Sequence, residues 1–330
     1  MTPFAYVKLD DPDAVVAHLA ATPGARVIGG GTTLLDLMKD GVEQADELVD
    51  ITGLPLTGIV EGEDGLEVGA LATMSAVARH QVVRARLPLV AETLLAGATP
   101  QLRNMATIGG NLLQRTRCWY FRDPGFAACN KRSPGSGCSA LEGEHQRHAV
   151  LGTSDRCIAA HASDLAVALV ALDARVDLLG AAGPRSLAVE ALHRLPGDTP
   201  ERETELAPGE LITRVVVPFP AEAARWAYRK VRDRASFEFA VVSAAVGVEV
   251  ADGLVVGARV ALGGVATKPW RCRQAEAALV GRAPGEDAFR AAADVALAGA
   301  RPRPGNAYKI ELARCTLVRA LADVTTEVAP

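Results

Sequence analysis

Two glycine turns constrain this sequence more than any of its other features. Gly29-Gly30-Gly31 follow a short stretch, ARVI, and precede a segment with helical periodicity, TTLLDLMKDG. A second pair of glycines stands in ATIGGNLLQ, residues 106–114, between polar residues that can donate hydrogen bonds. Such turns let backbone N–H groups approach a phosphate, because no Cβ blocks the way. The turns therefore predict either one pyrophosphate clamped between two α/β units or two unrelated tight turns.

Neither turn matches a standard nucleotide-binding pattern by itself. The dinucleotide pattern G-x-G-x-x-G would need a glycine at position 34, where the chain has Leu34. The Gly-Lys-Ser/Thr of a P-loop is also missing from both turns. The prediction of a phosphate site therefore depends on the two turns acting together.

Apolar periodicity divides the chain into three regions. Residues 1–55 and residues 56–222 are each predicted to form an α/β unit, because short buried strands alternate with amphipathic helices. Residues 223–330 begin with antiparallel strand patterns and continue with helices, which predicts an α+β domain. The helices of this last region are expected at roughly 271–281, 285–299 and 308–326.

Composition and charge exclude several classes of function. With 330 residues, of which 49% are hydrophobic, the chain has the composition of a globular protein of two or three domains. A net charge of −4 gives no electrostatic reason to expect nucleic acid. The sequence contains no run of about 20 apolar residues, so we expect no membrane span. Its first residues lack the pattern of a signal peptide, so we expect the chain to be made in the cytoplasm.

Four of the six cysteines stand in or near one polar segment. Cys118, Cys129 and Cys138 lie in CWYFRDPGFAACNKRSPGSGC, and Cys157 follows. Cysteines of a cytoplasmic protein are more readily metal ligands than disulfides. The gaps of 10, 8 and 18 residues fit neither a zinc finger nor a compact ferredoxin run. From the residues alone a disulfide, a zinc site and a [4Fe–4S] cluster stay open. The other two cysteines, Cys272 and Cys315, fall in predicted helices and are expected to be plain buried residues.

Five segments occur in the order seen in a known family. They are RVIGGGTTLLDLMKDG, NMATIGGNLL, HASDLAVALVALDA, GELITRVVVPFP and VALGGVATKPWRCRQAE. Over nearly its full length the chain resembles the FAD-binding subunit of molybdenum hydroxylases of the xanthine dehydrogenase/aldehyde oxidase family. This resemblance implies an FAD-binding fold of the p-cresol methylhydroxylase type, made of two α/β subdomains. An α+β domain of the carbon monoxide dehydrogenase flavoprotein type would follow it.

The resemblance also assigns residues to the binding of FAD. It implies that the first pyrophosphate loop consists of Arg26, Val27, Ile28, Gly29, Gly30, Gly31, Thr32, Thr33 and Leu34. It implies a second loop at Thr107, Gly110 and Asn111, and a hydrogen-bond acceptor for the cofactor's hydroxyls at Asp164.

Two further residues are assigned in the same way. Ile212 would lie against the isoalloxazine ring, and Lys230 near the flavin, where a cation stabilises a reduced, anionic flavin. Without the resemblance, Asp164 is an acid at a helix N-terminus. Ile212 is then an ordinary core residue and Lys230 a solvated charge.

The cysteine segment is an insertion relative to most of the family. Residues 112–163 separate Asn111 from Asp164, whereas most members pass directly from the second loop to the Ser-Asp motif. The segment at about 115–160 resembles the [4Fe–4S] insertion in flavin subunits of bacterial aldehyde oxidoreductases of the periplasmic type. The resemblance implies that Cys118, Cys129, Cys138 and Cys157 ligate a [4Fe–4S] cluster. The nearby cations could offset its negative charge; they are Arg115, Arg117, Arg122, Lys131 and Arg132.

The implied function is electron transfer within a larger enzyme. The chain would act with a large subunit that binds the molybdenum cofactor and a small subunit with [2Fe–2S] clusters. Electrons from aldehyde oxidation would pass through FAD to an external acceptor. A self-sufficient flavin oxidase would need a base near the flavin, and none of the six histidines stands out as one. A metal-stapled scaffold would leave both glycine turns unexplained. We expect assembly in the cytoplasm, and co-export with a partner that bears a signal peptide is the alternative.

Overall fold

The N-terminal region is a small parallel sheet that carries the first glycine turn. In this computed structural model, which describes residues 1–326, its strands pair in the order β1-β3-β2. The first helix is capped at its N-terminus by Asp11, whose carboxylate accepts a hydrogen bond from the Ala14 amide at 2.8 Å. The elements are β1 (Ala5–Lys8), α1 (Pro12–Ala21), β2 (Ala25–Ile28), α2 (Leu34–Lys39) and β3 (Glu47–Asp50).

The second region is a five-stranded antiparallel sheet covered by helices. Its strand order is β4-β5-β8-β6-β7, so β8, the last strand of the region in sequence, lies between β5 and β6. The largest hydrophobic core lies between this sheet and the helices. The strands are β4 (Ile59–Gly62), β5 (Gly65–Gly69), β6 (Arg175–Gly180), β7 (Gly183–Ala188) and β8 (Leu211–Val217). The helices are α3 (Met74–Arg79), α4 (Gln81–Arg86), α5 (Pro88–Ala96), α6 (Pro100–Arg103), α7 (Ile108–Leu112), α8 (Trp119–Arg122), α9 (Asp164–Ala171) and α10 (Val189–Leu192).

The third region is a four-stranded antiparallel sheet packed against three helices. The strands pair in the order β12-β11-β10-β9. A second large core fills the space between this sheet and the helices. The elements are β9 (Arg225–Val231), β10 (Val242–Ala251), β11 (Leu254–Gly263), β12 (Trp270–Arg271), α11 (Arg273–Leu279), α12 (Glu286–Leu297) and α13 (Tyr308–Thr326).

Helix α9 joins the second and third regions. All eight of its residues are buried, as expected of a helix that is apolar on every side. Its N-terminus is capped by Ser163, whose hydroxyl accepts a hydrogen bond from the Ala166 amide at 3.0 Å. The helix packs against α5 on one side and against β10 and β11 on the other. A single helix is therefore shared by two cores.

The structure agrees with most of the sequence-based expectations and corrects one. The fold class is confirmed, since α/β regions are followed by an α+β region. The last three helices begin and end within two residues of the predicted bounds. Cys272 is buried, but Cys315 is exposed, so the prediction of a buried Cys315 is wrong. The reason is helical phase: the buried face of α13 carries Ala313, Thr316 and Leu317, and Cys315 points away from that face.

Among residues 1–326, no helix combines the length and the hydropathy that crossing a bilayer requires.

Shortening a side chain in α9 should destabilise the protein strongly. Leu169 is 1% exposed, so Leu169→Ala removes buried methyl groups and leaves a cavity, which costs about 2–5 kcal/mol. Val256→Ala is the control, because Val256 is 55% exposed and should change stability by less than about 0.5 kcal/mol. Urea unfolding of the three proteins measures both values. Equal unfolding free energies would contradict the central position of α9.

Candidate functional site

Two cavities meet at the first glycine turn. The first has a volume of about 290 Å³ and lies between the parallel sheet and the second region. The second, of about 470 Å³, lies between the second and third regions. Thr32, Thr33 and Gly110 line both. The site is thus one elongated space with a narrow middle, which suits a ligand with a group at each end and a linker between them.

The first glycine turn offers free backbone donors at this middle point. Within the described part of the chain, the amides of residues 29–34 donate to no carbonyl and to no side chain. Gly31 has a φ of +71°, which glycine adopts without strain, and the turn faces both cavities. Residues 29–34 are half-buried, and a run of free amides that faces a cavity is suited to bind an anion.

The second glycine turn differs, because its amides are already in use. The Ile108 amide donates to the Ala72 carbonyl at 3.0 Å and the Gly109 amide to the Ala70 carbonyl at 2.8 Å. The Gly110 amide donates to the Thr107 hydroxyl at 3.1 Å. This turn therefore shapes the cavity without offering free amides to it.

The two turns also pack directly on each other. A Cβ on Gly30 would come within 1.8 Å of the Met105 carbonyl oxygen, which is backbone and cannot rotate away. A Cβ on Gly110 would meet only the Thr107 hydroxyl, at 2.9 Å. Gly30 is thus required by packing between the turns, whereas Gly110 leaves the middle of the cavity open.

The predicted FAD residues fall on both sides of the middle. Arg26 through Leu34 and Ile212 line the first cavity, together with apolar residues such as Ile51 and Leu71. Asn111, Asp164 and Lys230 line the second. Thr107 lines the first cavity and begins α7, where its hydroxyl serves as the N-cap. Ile212 and Lys230 therefore lie in different cavities.

A buried ion pair forms one wall of the second cavity. The Lys230 ammonium lies 2.7 Å from Asp164 Oδ2, and the side chains are only 5% and 8% exposed. Lys230 also donates to the Ala96 carbonyl at 3.1 Å, and the Tyr228 hydroxyl donates to the other oxygen of Asp164. Burial and the Asp164 charge raise the pKa of Tyr228 well above its ordinary value, so Tyr228 remains a donor. Lys230 is not the solvated charge that its sequence context suggests.

The loop at residues 232–239 completes the second cavity. Phe237 has a φ of 52°, a strained conformation for a residue with a side chain. Its carbonyl accepts a hydrogen bond from Arg234, which also lines the cavity. Arg147, from the cysteine segment, pairs with both Asp233 and Glu238. The loop is therefore held in place from the cysteine segment.

The four clustered cysteines share one small cavity. Cys118, Cys129, Cys138 and Cys157 all line it, although they lie far apart in sequence. A short hairpin places two of them opposite each other, since Cys129 and Cys138 form an antiparallel bridge. All six cysteines of the chain lie in the described residues and are free thiols, so the disulfide alternative is not realised.

These thiols are shielded from water, and backbone donors and the cations Lys131 and Arg156 lie near them. Burial raises the pKa of Cys118 to about 12 and that of Cys157 to about 11. The Ala159 amide lies 3.5 Å from Cys157 Sγ, and His148 Nε2 lies 3.1 Å from Cys118 Sγ. Burial and Lys309 lower the pKa of His148 to about 4, so its ring is neutral. Thiols in such a place ionise only when a bound cation compensates them.

The cations of the segment have other partners than those expected. Arg117 and Arg122 pair with Asp36 of α2. Arg132 donates to three carbonyls of the segment itself, those of Tyr120, Phe121 and Phe126. Arg117, Arg122 and Arg132 therefore fix the segment in place, whereas Lys131, another of the five predicted cations, lines the cysteine cavity.

A partly buried ion triad connects the cysteine cavity with the first cavity. Glu203 pairs with Lys131, which lines the cysteine cavity, and with Arg115, which lines the first cavity. Burial raises the pKa of Glu203, but Lys131 and Arg115 outweigh it and lower the pKa below the ordinary value. The residue is therefore an anion. Sequence reasoning missed Glu203, because its charge partners are distant in the chain.

Two histidines lie behind the same triad. His161 and His193 pack edge to face, with ring centroids 4.5 Å apart. Burial lowers the pKa of both, so both are neutral. Neither lines the first or the second cavity, and no other histidine of the described residues does.

No preformed metal site is found in the part of the chain that the structure describes. Within residues 1–326, no group of three or more His, Cys, Asp or Glu side chains is arranged to hold a metal ion. The zinc and [4Fe–4S] alternatives for the four cysteines are therefore not separated by this geometry.

Comparison with known protein families gives two matches that together cover most of the chain. Residues 2–220 match the FAD binding domain in molybdopterin dehydrogenase. Residues 226–324 match the carbon monoxide dehydrogenase flavoprotein C-terminal domain.

Individual relatives agree with these matches. The chain is 46% identical to the aldehyde oxidoreductase FAD-binding subunit PaoB of Escherichia coli K12, over 99% of this chain and 100% of that one. It is 28% identical to the carbon monoxide dehydrogenase medium chain of Afipia carboxidovorans, over 94% and 92% of the two chains. A solved structure of carbon monoxide dehydrogenase from Hydrogenophaga pseudoflava matches with a TM-score of 0.78 at 28% identity, and covers 100% of both chains.

Breaking the buried ion pair should be costly. Lys230→Met leaves the Asp164 carboxylate buried without its cation, which costs about 3–5 kcal/mol. Lys8→Met is the control, because Lys8 is 55% exposed, lies 3.9 Å from Asp50 and should contribute less than about 1 kcal/mol. Unfolding in urea, with and without FAD, measures both. A double variant, Lys230→Met with Asp164→Leu, should recover part of the loss; no recovery would contradict the pairing.

Proposed function

Because the chain belongs to the family of FAD-binding domains of molybdopterin dehydrogenases, we propose that it is the FAD-binding electron-transfer subunit of a molybdenum-dependent aldehyde oxidoreductase. One observation carries the proposal above all: an elongated space whose narrow middle holds a run of free amides. The 46% identity with an aldehyde oxidoreductase subunit over the whole chain supports the reaction class.

The pyrophosphate of FAD is placed at the free amides of the first glycine turn. Arg26 lines the adjoining cavity and supplies positive charge near it, whereas Arg115, which also lines it, is paired with Glu43 and Glu203. Thr107 and Gly110 contribute shape, because the amides of their turn are engaged elsewhere. The two turns therefore have different roles, and the pyrophosphate is not clamped symmetrically between two equivalent turns.

The flavin ring is assigned to the second cavity and the adenine to the first. The isoalloxazine and ribityl groups together are larger than adenosine, and the second cavity is the larger one. Asp164 offers carboxylate oxygens to ribityl hydroxyls, and Lys230 is a donor beside the ring. Ile212 then packs on the adenine, at the opposite end from Lys230. When bound, FAD supplies the capacity to take up and release electrons, and the chain orients it and excludes water.

Electron transfer is favoured over a self-sufficient flavin oxidase. An oxidase of this kind needs a base that removes a proton from its substrate beside the flavin. No histidine among the described residues lines either cavity. The acids that line the second cavity are all ion-paired: Asp164 with Lys230, Asp36 with Arg122 and Glu238 with Arg147. The substrate's oxidation is therefore assigned to a large molybdenum-cofactor subunit, with a small [2Fe–2S] subunit between it and FAD. Assembly is proposed to take place in the cytoplasm, with co-export by a partner as the alternative.

We further propose that Cys118, Cys129, Cys138 and Cys157 hold a [4Fe–4S] cluster. The support is their common cavity, the chemistry of four thiols without a competing acid, and the nearby backbone amides. Zinc or an empty site would each contradict the proposal.

The function predicts that aldehyde turnover depends on partner subunits. The isolated chain should bind FAD and oxidise no aldehyde. Co-expression with candidate large and small subunits should yield a complex that reduces an external acceptor when an aldehyde is supplied. Size-exclusion chromatography and steady-state assays measure both results. Aldehyde oxidation by the isolated chain would favour the flavin oxidase instead.

The assignment of the pyrophosphate predicts a specific effect of a side chain on Gly110. Gly110→Val projects methyl groups into the middle of the cavity and should lower the flavin-to-protein ratio, with the far-UV circular dichroism unchanged. Gly30→Val should lose both FAD and stability, because its Cβ meets the Met105 carbonyl. Gly58→Val is the matched control, since a Cβ there meets nothing within 4 Å. Full FAD occupancy in Gly110→Val would refute the assignment.

The cluster predicts that four of the six cysteines act as one group. Serine at Cys118, Cys129, Cys138 or Cys157 should lower iron and acid-labile sulfide together, because a hydroxyl is a poor ligand for iron in a cluster. The exposed Cys315 is the control, and Cys315→Ser should leave both contents unchanged. Quantifying iron, sulfide and FAD in the five variants tests this. Unchanged iron in any of the four would overturn the ligand set.

A further inference from the structure

His148 is the one imidazole whose ring reaches the cysteine cavity's thiols within hydrogen-bond distance in the described structure. Its Nε2 lies 3.1 Å from Cys118 Sγ, and the residue is 3% exposed. The other ring nitrogen, Nδ1, is buried and has no partner in the described part of the chain. The contact with sulfur is thus the only polar contact of this ring.

The chemistry of the sulfur decides the direction of this contact. A thiolate that ligates iron carries no proton and can only accept a hydrogen bond. The neutral ring must then carry its proton on Nε2, and Nδ1 keeps a lone pair that needs no acceptor. The geometry is therefore that of an Nε2–H···S hydrogen bond.

The backbone of His148 is fixed from the third region. Lys309 lies near the start of α13 and is fully buried. It donates hydrogen bonds to the carbonyls of His148 at 3.1 Å, Arg147 at 3.2 Å and Gly264 at 2.7 Å. Asn306, also fully buried, donates to the Ala149 carbonyl at 3.1 Å. Burial lowers the pKa of Lys309 to about 7, and three carbonyls accept the hydrogen bonds of its buried amino group, two of them those of His148 and of the residue before it.

The ring is held as firmly as the backbone. Tyr120 packs beside it with ring centroids 6.1 Å apart, and the Tyr120 hydroxyl accepts a hydrogen bond from the Glu144 amide. Tyr120 is itself buried beside Cys118, at the start of α8. Ring and main chain are therefore positioned from two independent directions.

We propose that His148 is a positioning residue that donates an Nε2–H···S hydrogen bond to Cys118 and thereby sets the reduction potential of the group that this cysteine ligates. The inference rests on the proposed [4Fe–4S] cluster. A hydrogen bond to a ligand sulfur withdraws electron density from it, which stabilises the reduced, more negative cluster and raises its potential.

The test compares a variant that removes the donor with one that keeps it. His148→Phe preserves an aromatic ring next to Tyr120 and removes the N–H, and His148→Gln keeps an N–H donor at a similar distance from the backbone. Iron, sulfide and FAD are quantified in the purified full chain, and the cluster's midpoint potential is measured by redox titration with EPR detection. We expect His148→Phe to keep iron and to shift the potential to more negative values, and His148→Gln to restore most of the shift.

A matched control separates this effect from a general disturbance of the loop. His145 lies three residues earlier and contacts the Gly143 carbonyl and the Gly305 amide, and its described hydrogen bonds include no cysteine sulfur. His145→Phe should therefore leave the potential unchanged.

Each outcome decides the matter. An unchanged potential in His148→Phe, or an equal shift in His148→Phe and His145→Phe, overturns the inference. Loss of iron in His148→Phe together with retention in His148→Gln supports it, because assembly then depends on the donor. Equal loss of iron in both His148 variants overturns it, since packing of the ring would be responsible. Absence of iron from the wild-type chain refutes the proposed cluster itself, and the inference with it. An iron-bearing wild type whose midpoint potential is unchanged in His148→Phe refutes the inference alone.

Discussion

Helix α9 is held at both ends by cations from the third region, and the candidate site depends on that arrangement. At its N-terminus, Asp164 pairs with Lys230 of β9. At its C-terminus, the Val170 and Ala171 carbonyls accept hydrogen bonds from the buried guanidinium of Arg271, which neutralises the negative end of the helix. Both cations would be costly to bury alone, and each is offset by a charge or a dipole of α9. The second cavity exists only where these parts meet, so the third region supplies one wall of the FAD site.

The cysteine segment is fixed to all three regions, so it is an integral part of the fold. It pairs with Asp36 of the first region, with Glu203 of the second and with Asp233 of the third. These ion pairs neutralise most of the segment's positive charge. Four thiolates around iron would carry net negative charge, which Lys131 and Arg156, both lining the cavity, would offset, while backbone amides and the His148 ring would donate hydrogen bonds. Of the five cations that the sequence pattern suggests for this role, Lys131 alone lines the cavity.

The sequence predicts local features better than contacts between distant residues. The glycine turns, the class of each region and the last three helices follow from periodicity and from glycine's conformational freedom, which are local properties. The engagement of the Gly109 amide by Ala70 and the burial of Lys230 against Asp164 are long-range contacts, and no local pattern encodes them. The exposure of Cys315 depends on the phase of a helix relative to its sheet, which a helical pattern of mixed polarity leaves open. The roles assigned to Ile212 and Lys230 came from the family resemblance, and the structure separates them into two cavities.

The three sites are joined by one short stretch of chain, and this gives their coupling a physical basis. Arg115 lines the first cavity, Arg117 lines the second and Cys118 lines the cysteine cavity. The stretch is neither helix nor strand, so its course is set by its side-chain partners: Glu203 for Arg115, Asp36 for Arg117 and His148 for Cys118. Arg117 also stacks over Phe239, with its guanidinium 4.6 Å from the ring centroid, so this residue is held from two sides. A group held by Cys118 and a flavin in the second cavity would therefore contact consecutive residues of one fixed stretch.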